Sequence, residues 1–466
     1  MTLTPSSTTL PALSTDLPPV ERRAAIPGGF VAAGGVAGIK ASGRPDLALV
    51  ATLPGPDGGR APAAAAAVFT PNAFAAAPVR LSRAHLAATD PAGEGRFGWA
   101  TGIISTSGCA NAATGAAGDA DQAIVAEVLA AAIGTTEDET LLLSTGIIGT
   151  RLPLDIVRSG VAAVAPTLAP TDDGLAAAAE ALRTTDSVPK AATATLTLPD
   201  EDGLAVRSVR VTGIAKGVGM IHPRMATMLS IVLTDATVDP ATLHGLLRPA
   251  TARTWDQLSV DGDTSTNDTV FLLASGAAGA APVRAGTREA VELGRAIEAV
   301  ARDLARQQAA DGEGATTLIT CQVSGAADDA DARAVARAVI SSSLVKAAAH
   351  GRDPNWGRIA GAAGNATLAD EAVLAAGGLS AAAARGRAGT AAHLDPDTLR
   401  IAIAGHLVFD GSAGGPVEFD RAAARAAMEG PELIVRLDLG LGDGQGEAFG
   451  CDLTETYVIE NSEYTT

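Results

Sequence analysis

Residues 216–229 read Lys-Gly-Val-Gly-Met-Ile-His-Pro-Arg-Met-Ala-Thr-Met-Leu, and no other stretch constrains the chain as tightly. Gly217, Gly219 and Pro223 precede a mostly apolar run, residues 225–233. Glycine permits backbone conformations closed to other residues and proline fixes its own φ, so such a turn can aim the first hydroxyl of the strand that follows. That hydroxyl belongs to Thr227. A threonine hydroxyl is a weak nucleophile that needs an adjacent base. One source is the α-amine of the same threonine, freed when the preceding peptide bond is cut. Here that bond is Ala226–Thr227. Taken alone, the same residues also read as a threonine packed in a strand, because Thr is a good strand former.

At 466 residues the chain can bury a large core divided among two to four domains. A net charge of −18 excludes sequence-independent binding to nucleic acid or to an anionic membrane, which needs basic clusters. It leaves room for an anionic substrate in a locally positive pocket. No run of roughly eighteen apolar residues predicts a membrane span. Residues 1–19 lack the basic and apolar regions of a secretory signal, and residues 1–25 read as a disordered extension. Cys109, Cys321 and Cys451 show neither metal-ligand spacing nor a disulfide framework, which fits a reducing cytoplasm. Asp261-Gly262-Asp263-Thr264-Ser265 begins like a calcium loop. It then places Thr266 where the tight-turn glycine belongs and Leu272 where the bidentate glutamate belongs, so no metal is expected.

Apolar periodicity predicts helices over residues 119–133, 172–182, 288–308 and 331–348. A hairpin is expected from residues 192–198 and 204–212, delivering the chain to Lys216. Strands are expected over residues 228–233, 316–323, 433–439 and 448–459. Thr114 and Gly115 fall just before a helix start, where unpaired amides point outward. Glu313 falls on a short helix-to-strand loop. The interspersed helices and strands predict layered α/β packing.

The motif at 216–229 resembles the self-cleavage motif of the glutamate N-acetyltransferases, also called ornithine acetyltransferases, of arginine biosynthesis. Further collinear matches include Gly28-Gly29-Phe30, Val68-Phe69-Thr70-Pro71-Asn72, Gly108-Cys109-Ala110-Asn111-Ala112-Ala113-Thr114-Gly115 and Ser144-Thr145-Gly146-Ile147-Ile148-Gly149. Others are Asp261-Gly262-Asp263-Thr264-Ser265-Thr266-Asn267-Asp268, Asp353-Pro354-Asn355-Trp356-Gly357-Arg358 and the end, Asn461-Ser462-Glu463-Tyr464-Thr465-Thr466. They run from about residue 28 to the last residue.

The resemblance implies an α/β sandwich related in architecture to N-terminal-nucleophile hydrolases. It implies cleavage at Ala226–Thr227 into an α-chain ending at 226 (residues 26–226 after the extension) and a β-chain, residues 227–466. It makes Thr227 the nucleophile and Thr114 and Gly115 the oxyanion hole. Thr184, Lys216, Thr227, Glu313, Asn461 and Thr466 become the substrate contacts. The implied reaction is ping-pong: N2-acetylornithine acetylates Thr227, ornithine leaves, and glutamate takes the acetyl group. No cofactor is implied, acetyl-CoA stays open as a second donor, and the implied assembly is α2β2. Three other readings stand beside this one: an N-terminal-nucleophile amidase or aminopeptidase, a secondary-metabolism paralogue, and a degenerate, non-catalytic binding protein, which failure to self-cleave would reveal.

Overall fold

Alternation along single strands decides which way each sheet faces. In the strand Ala63–Phe69, Ala64, Ala66 and Val68 enter one core while Ala63, Ala65 and Ala67 enter another. The strand Leu229–Thr234 does the same, with Val232 on one side and Ile231 and Leu233 on the other. Side chains of a strand point to opposite faces in turn, so a sheet whose strands are apolar at every position must be covered on both sides.

In the computed structural model, which describes residues 9–13, 16–222 and 228–463, that covering produces four layers. A six-stranded sheet runs in the order Phe97–Ala100, Ala63–Phe69, Thr269–Ala274, Leu229–Thr234, Val206–Lys216 and Lys190–Pro199. A four-stranded sheet runs Phe30–Gly35, Leu47–Thr52, Gly102–Cys109 and Thr140–Ile147. The two sheets share a core containing Phe30, Val50, Ile103, Ile231 and Phe271. Helices Pro240–Arg253 and Arg288–Ala310 cover the outer face of the six-stranded sheet. Helices Gly115–Ile133 and Leu154–Val164 cover the outer face of the four-stranded one. The layered α/β sandwich implied by the sequence is the architecture observed.

A seven-stranded sheet built around Leu318–Ala326, Glu432–Asp438 and Gly444–Cys451 forms a further core with helix Asp329–Ser341. Phe449 and Cys451 reach from this sheet into the core under Arg288–Ala310, so that helix serves both bodies. Within residues 16–25, Glu21 forms an isolated bridge with Thr193, and Arg22 pairs with Asp303 on the same helix at 3.1 Å. Among the described residues no helix is long and apolar enough to cross a membrane.

Most expected elements are present. The helix expected over 172–182 spans Asp172–Leu182, and Thr171 caps it by accepting from the Gly174 amide. Two expectations need correction. The helix expected over 331–348 is two, Asp329–Ser341 and Ser343–His350, because Ser342 leaves the helical conformation and its hydroxyl caps the second at the Val345 amide. The strand expected over 448–459 stops at Cys451, and residues Glu455–Glu463 are helical. Asp452 ends the strand by accepting from the Thr316 and Thr317 amides.

Helix Asp172–Leu182 lies on the first strand so closely that a Cβ on Gly34 would stand 2.0 Å from the Ala177 carbonyl oxygen. Gly34→Ala should therefore destabilise the fold by about 1–3 kcal/mol, read as a lower urea midpoint with an unchanged m-value.

Candidate active site

Strand register gathers the site at one end of the sandwich. Lys216, the last residue of Val206–Lys216, pairs with Leu229. Leu229 pairs in parallel with Thr269, and Thr269 pairs with Phe69. The row Lys216–Leu229–Thr269–Phe69 therefore crosses four strands at one sheet edge. The four-stranded sheet is tied to the same edge by Asn267, whose side-chain amide donates to the Ala110 carbonyl at 2.7 Å and the Ser144 carbonyl at 2.8 Å. Between the two sheet ends lies a small cleft of about 90 Å³, with Thr184, Lys216, Glu313 and Asn461 among its walls.

Four of the residues singled out from the sequence thus come together, although they lie up to 277 positions apart in the chain (461 − 184). Glu313 is held at both carboxylate oxygens: the Thr185 hydroxyl donates at 2.8 Å and the Asn461 amide at 3.0 Å. Gly219 faces it so closely that a Cβ there would stand 2.3 Å from Oε2. That contact is a physical reason for the second glycine of the motif. The turn is pinned from outside by Asp261, which accepts from the Met220 and Ile221 amides, and Met220 takes a left-handed φ of 55°. Asp261 thus organises a turn.

Thr114 and Gly115 lie on the loop that leaves the cleft at Ala110. Gly115 opens the helix, and Thr114 is its cap residue. The loop is tightly wound, with φ of 47° at Asn111, 56° at Ala113 and 61° at Gly115. The Thr114 hydroxyl donates to the Asn111 side chain at 2.8 Å, so in this state its proton is engaged within the loop. Neither residue is among the described residues lining the cleft. Ala226, Thr227 and Thr466 lie outside the described residues.

Beneath the cleft is a cluster that sequence reasoning missed. Lys216 is buried, and its ammonium reaches Thr145 Oγ1 at 3.4 Å. Lys190 is buried between Asp186 at 2.7 Å and Asp311 at 2.6 Å. Asp186 also accepts from the Gly217 amide at 2.8 Å and the Thr184 amide at 3.2 Å, tying the loops that carry Thr184 and Gly217 together. Burial would raise the Asp186 pKa, but Lys216, Lys190 and these hydrogen bonds overcome it and hold the carboxyl down at about 2. Burial pushes Lys216 below its ordinary value, with Asp186 opposing the shift and Lys190 adding to it. Cys109 is buried, and its thiol donates to the Thr150 carbonyl. The missed residues Asp186 and Lys190 carry no motif of their own; their role depends on the fold.

A layered α/β sandwich with a polar cleft at the ends of both sheets, walled by one buried lysine and one fixed glutamate, defines the class. The family model for the ArgJ family matches residues 31–466, and the chain belongs to that family. It is 42% identical over 457 residues to the arginine biosynthesis bifunctional protein ArgJ of Synechocystis sp., covering 96% of this chain and 98% of the relative. It is 40% identical to the protein of the same name from Thermus thermophilus, over 95% and 99% of the two chains. Among solved structures it is similar to ArgJ of Bacillus halodurans (36% identity, TM-score 0.42, 50% of this chain and 98% of that one). It is also similar to the ornithine acetyltransferase of Mycobacterium tuberculosis complexed with ornithine (38% identity, TM-score 0.37, 45% and 99%).

Asp186→Asn should cost on the order of 3 kcal/mol, since it leaves Lys190 and Lys216 buried with less counter-charge. The unfolded carboxyl titrates near 3.8 and the native one at about 2, so its contribution is present above 3.8 and fades as pH falls toward 2. The wild type should lose about 2 kcal/mol through that window. Chemical denaturation of the variant across it should show a correspondingly flatter profile.

Proposed function

We propose that this chain is an acetyltransferase of arginine biosynthesis that cuts itself between Ala226 and Thr227 and then carries acetyl groups on the Thr227 hydroxyl. In the first phase the hydroxyl attacks the Ala226 carbonyl carbon, the C–N bond breaks, and its nitrogen becomes the free amine of Thr227. Water then hydrolyses the ester, leaving chains 1–226 and 227–466. In the second phase that amine takes the hydroxyl proton as the hydroxyl attacks the acetyl carbon of N2-acetylornithine. The proton passes to the departing ornithine amine, and glutamate reverses the sequence to leave as N-acetylglutamate. One residue is nucleophile twice.

One observation carries this reading. Lys216 and Glu313 stand in one cleft, an ammonium and a carboxylate of opposite sign, at the ends of the strands that flank residues 217–228. That pair suits the α-carboxylate and the ammonium of an amino acid. Thr184, Asn461 and Thr466 complete a polar ring, while Thr114 and Gly115 supply oxyanion donors once substrate displaces the Thr114–Asn111 bond. The acetyl group stays in an acyl state of similar energy, so the transfer needs neither nucleotide nor metal. Acetyl-CoA stays open as a second donor at the same threonine, and two processed pairs assemble as α2β2. Membership of the ArgJ family supports the pathway.

Intact-mass spectrometry of Thr227→Ala should show one full-length chain with no transferase activity, where the wild type shows two fragments. A variant that still cuts at this bond would remove Thr227 from the role. Gly219→Ala tests the ammonium site without touching a charged group. The added Cβ displaces the Glu313 carboxylate from Thr185 and Asn461, and KM for N2-acetylornithine should rise about tenfold or more while processing persists.

A further inference from the structure

The Glu313 carboxylate is set by two pieces of chain: its own loop, residues 313–317, and the helix Glu455–Glu463, which brings Asn461 to Oε2 at 3.0 Å. That helix has nine residues, Val458 and Ile459 are exposed on it, and none of its described side chains is fully buried. A helix this short is marginal in water by itself and is ordinarily held by an apolar face packed on a core. Here polar contacts take that place.

The contacts start from one buried carboxylate at the end of strand Gly444–Cys451. Asp452 Oδ1 accepts from the Thr316 and Thr317 amides at 2.8 and 2.9 Å. Its Oδ2 accepts from the Thr316 hydroxyl at 2.6 Å and from His350 Nδ1 at 3.1 Å. A carboxylate only accepts, so His350 donates there. The other ring nitrogen, Nε2, stands 3.4 Å from Glu455 in the first turn of the helix. Thr454 adds a further tie, its hydroxyl donating to the Gly314 carbonyl at 2.8 Å. Gly314 approaches the helix so closely that a Cβ there would stand 2.4 Å from the Tyr457 nitrogen. Tyr457, half-buried, turns its phenol toward Asp261 and Glu313: burial and these two carboxylates push its pKa up.

We propose that Asp452 and His350 are positioning residues for Glu313: Asp452 fixes the loop that carries it, and His350 fixes the helix whose Asn461 holds it. The inference rests on the reading of Glu313 as the ammonium contact and assigns two residues which that reading did not use. Neither is among the described residues lining the cleft. His350 ends helix Ser343–His350, whose Val345 and Ala349 pack into the core of the seven-stranded sheet, so the imidazole is presented from a fixed element. Two routes thus end on one carboxylate. A shift of the loop moves Glu313 itself, and a shift of the helix withdraws the Asn461 amide. A charge-assisted hydrogen bond to a substrate ammonium is short and directional, and a misplacement of about 1 Å is costly.

His350 is partly exposed, so His350→Leu should fold and still process itself. Its KM for N2-acetylornithine should rise about fivefold or more, with kcat within about twofold of wild type. His350→Asn, whose amide stands where Nδ1 does, should recover most of that loss. Asp452→Asn keeps an acceptor for the two amides and, where it folds, should raise KM in the same way. In a Glu313→Gln background, His350→Leu should add less than about twofold, because the group through which it acts is already gone. Gly34→Ala, which loses stability far from the cleft, should leave KM unchanged. A His350→Leu enzyme with wild-type KM overturns the proposal. So does an equal rise in KM with and without the Glu313 carboxylate, or an equal rise in Gly34→Ala, since either marks a general loss of order. If Glu313→Gln alone leaves KM for N2-acetylornithine unchanged, the failure lies with the ammonium-site reading, and it is visible before His350 is altered.

Discussion

Three neighbouring strands of the six-stranded sheet hold everything else in place. Val206–Lys216 runs antiparallel to Leu229–Thr234, which runs parallel to Thr269–Ala274, and the three are locked in register by residues apolar on both faces. A slip of one residue would exchange the cores on the two sides of the sheet and turn every inward side chain outward. The register is therefore strongly specified. It is also what brings Lys216, Leu229 and Thr269 to one edge. The chemistry at the cleft inherits its precision from ladder hydrogen bonds and from core residues such as Ile231, Val232 and Phe271 that never meet a ligand.

On that edge the protein buries charge, which is unfavourable unless each ion is paired and hydrogen-bonded. Lys190 is paired twice, with Asp186 and Asp311, and Asp186 also spends its oxygens on two backbone amides. The result is rigid scaffolding below the cleft. Lys216 is treated differently. Among the described residues its ammonium makes one hydrogen bond, a long contact to Thr145, and burial pulls its pKa down. The two lysines thus differ in how they are held: Lys190 between two carboxylates, Lys216 by a single long hydrogen bond among the described residues.

How much of this was legible beforehand depended on the range of the interaction that carries it. Helix Asp172–Leu182 was legible because Thr171 and the apolar stripe are local signals. The long helix Arg288–Ala310 was legible for the same reason. The break at Ser342 was missed because alanine-rich flanks continue the helical pattern on both sides, and only the Ser342–Val345 cap reveals it. The helix Glu455–Glu463 was missed because Tyr457, Val458 and Ile459 favour strands by propensity, while Asp452 has already ended the ladder by turning to Thr316 and Thr317. At the site, Lys216, Glu313, Thr184 and Asn461 were visible through family resemblance. Asp186 and Lys190 were not, because an aspartate or a lysine becomes informative only when the fold buries it beside a particular partner.

The same reasoning explains why the turn at 217–222 has the composition it does. Gly217 takes a φ of 129°, which only glycine adopts readily, and its amide reaches Asp186. Gly219 is required for a different reason, the approach of the Glu313 carboxylate. Met220 accepts a strained φ because Asp261 holds the two amides at 220 and 221. Each residue of the turn thus answers to a side chain from another part of the chain: Asp186, Glu313 or Asp261. Backbone strain of this kind persists only where surrounding contacts over-determine it. A turn so constrained from three directions has little freedom to relax.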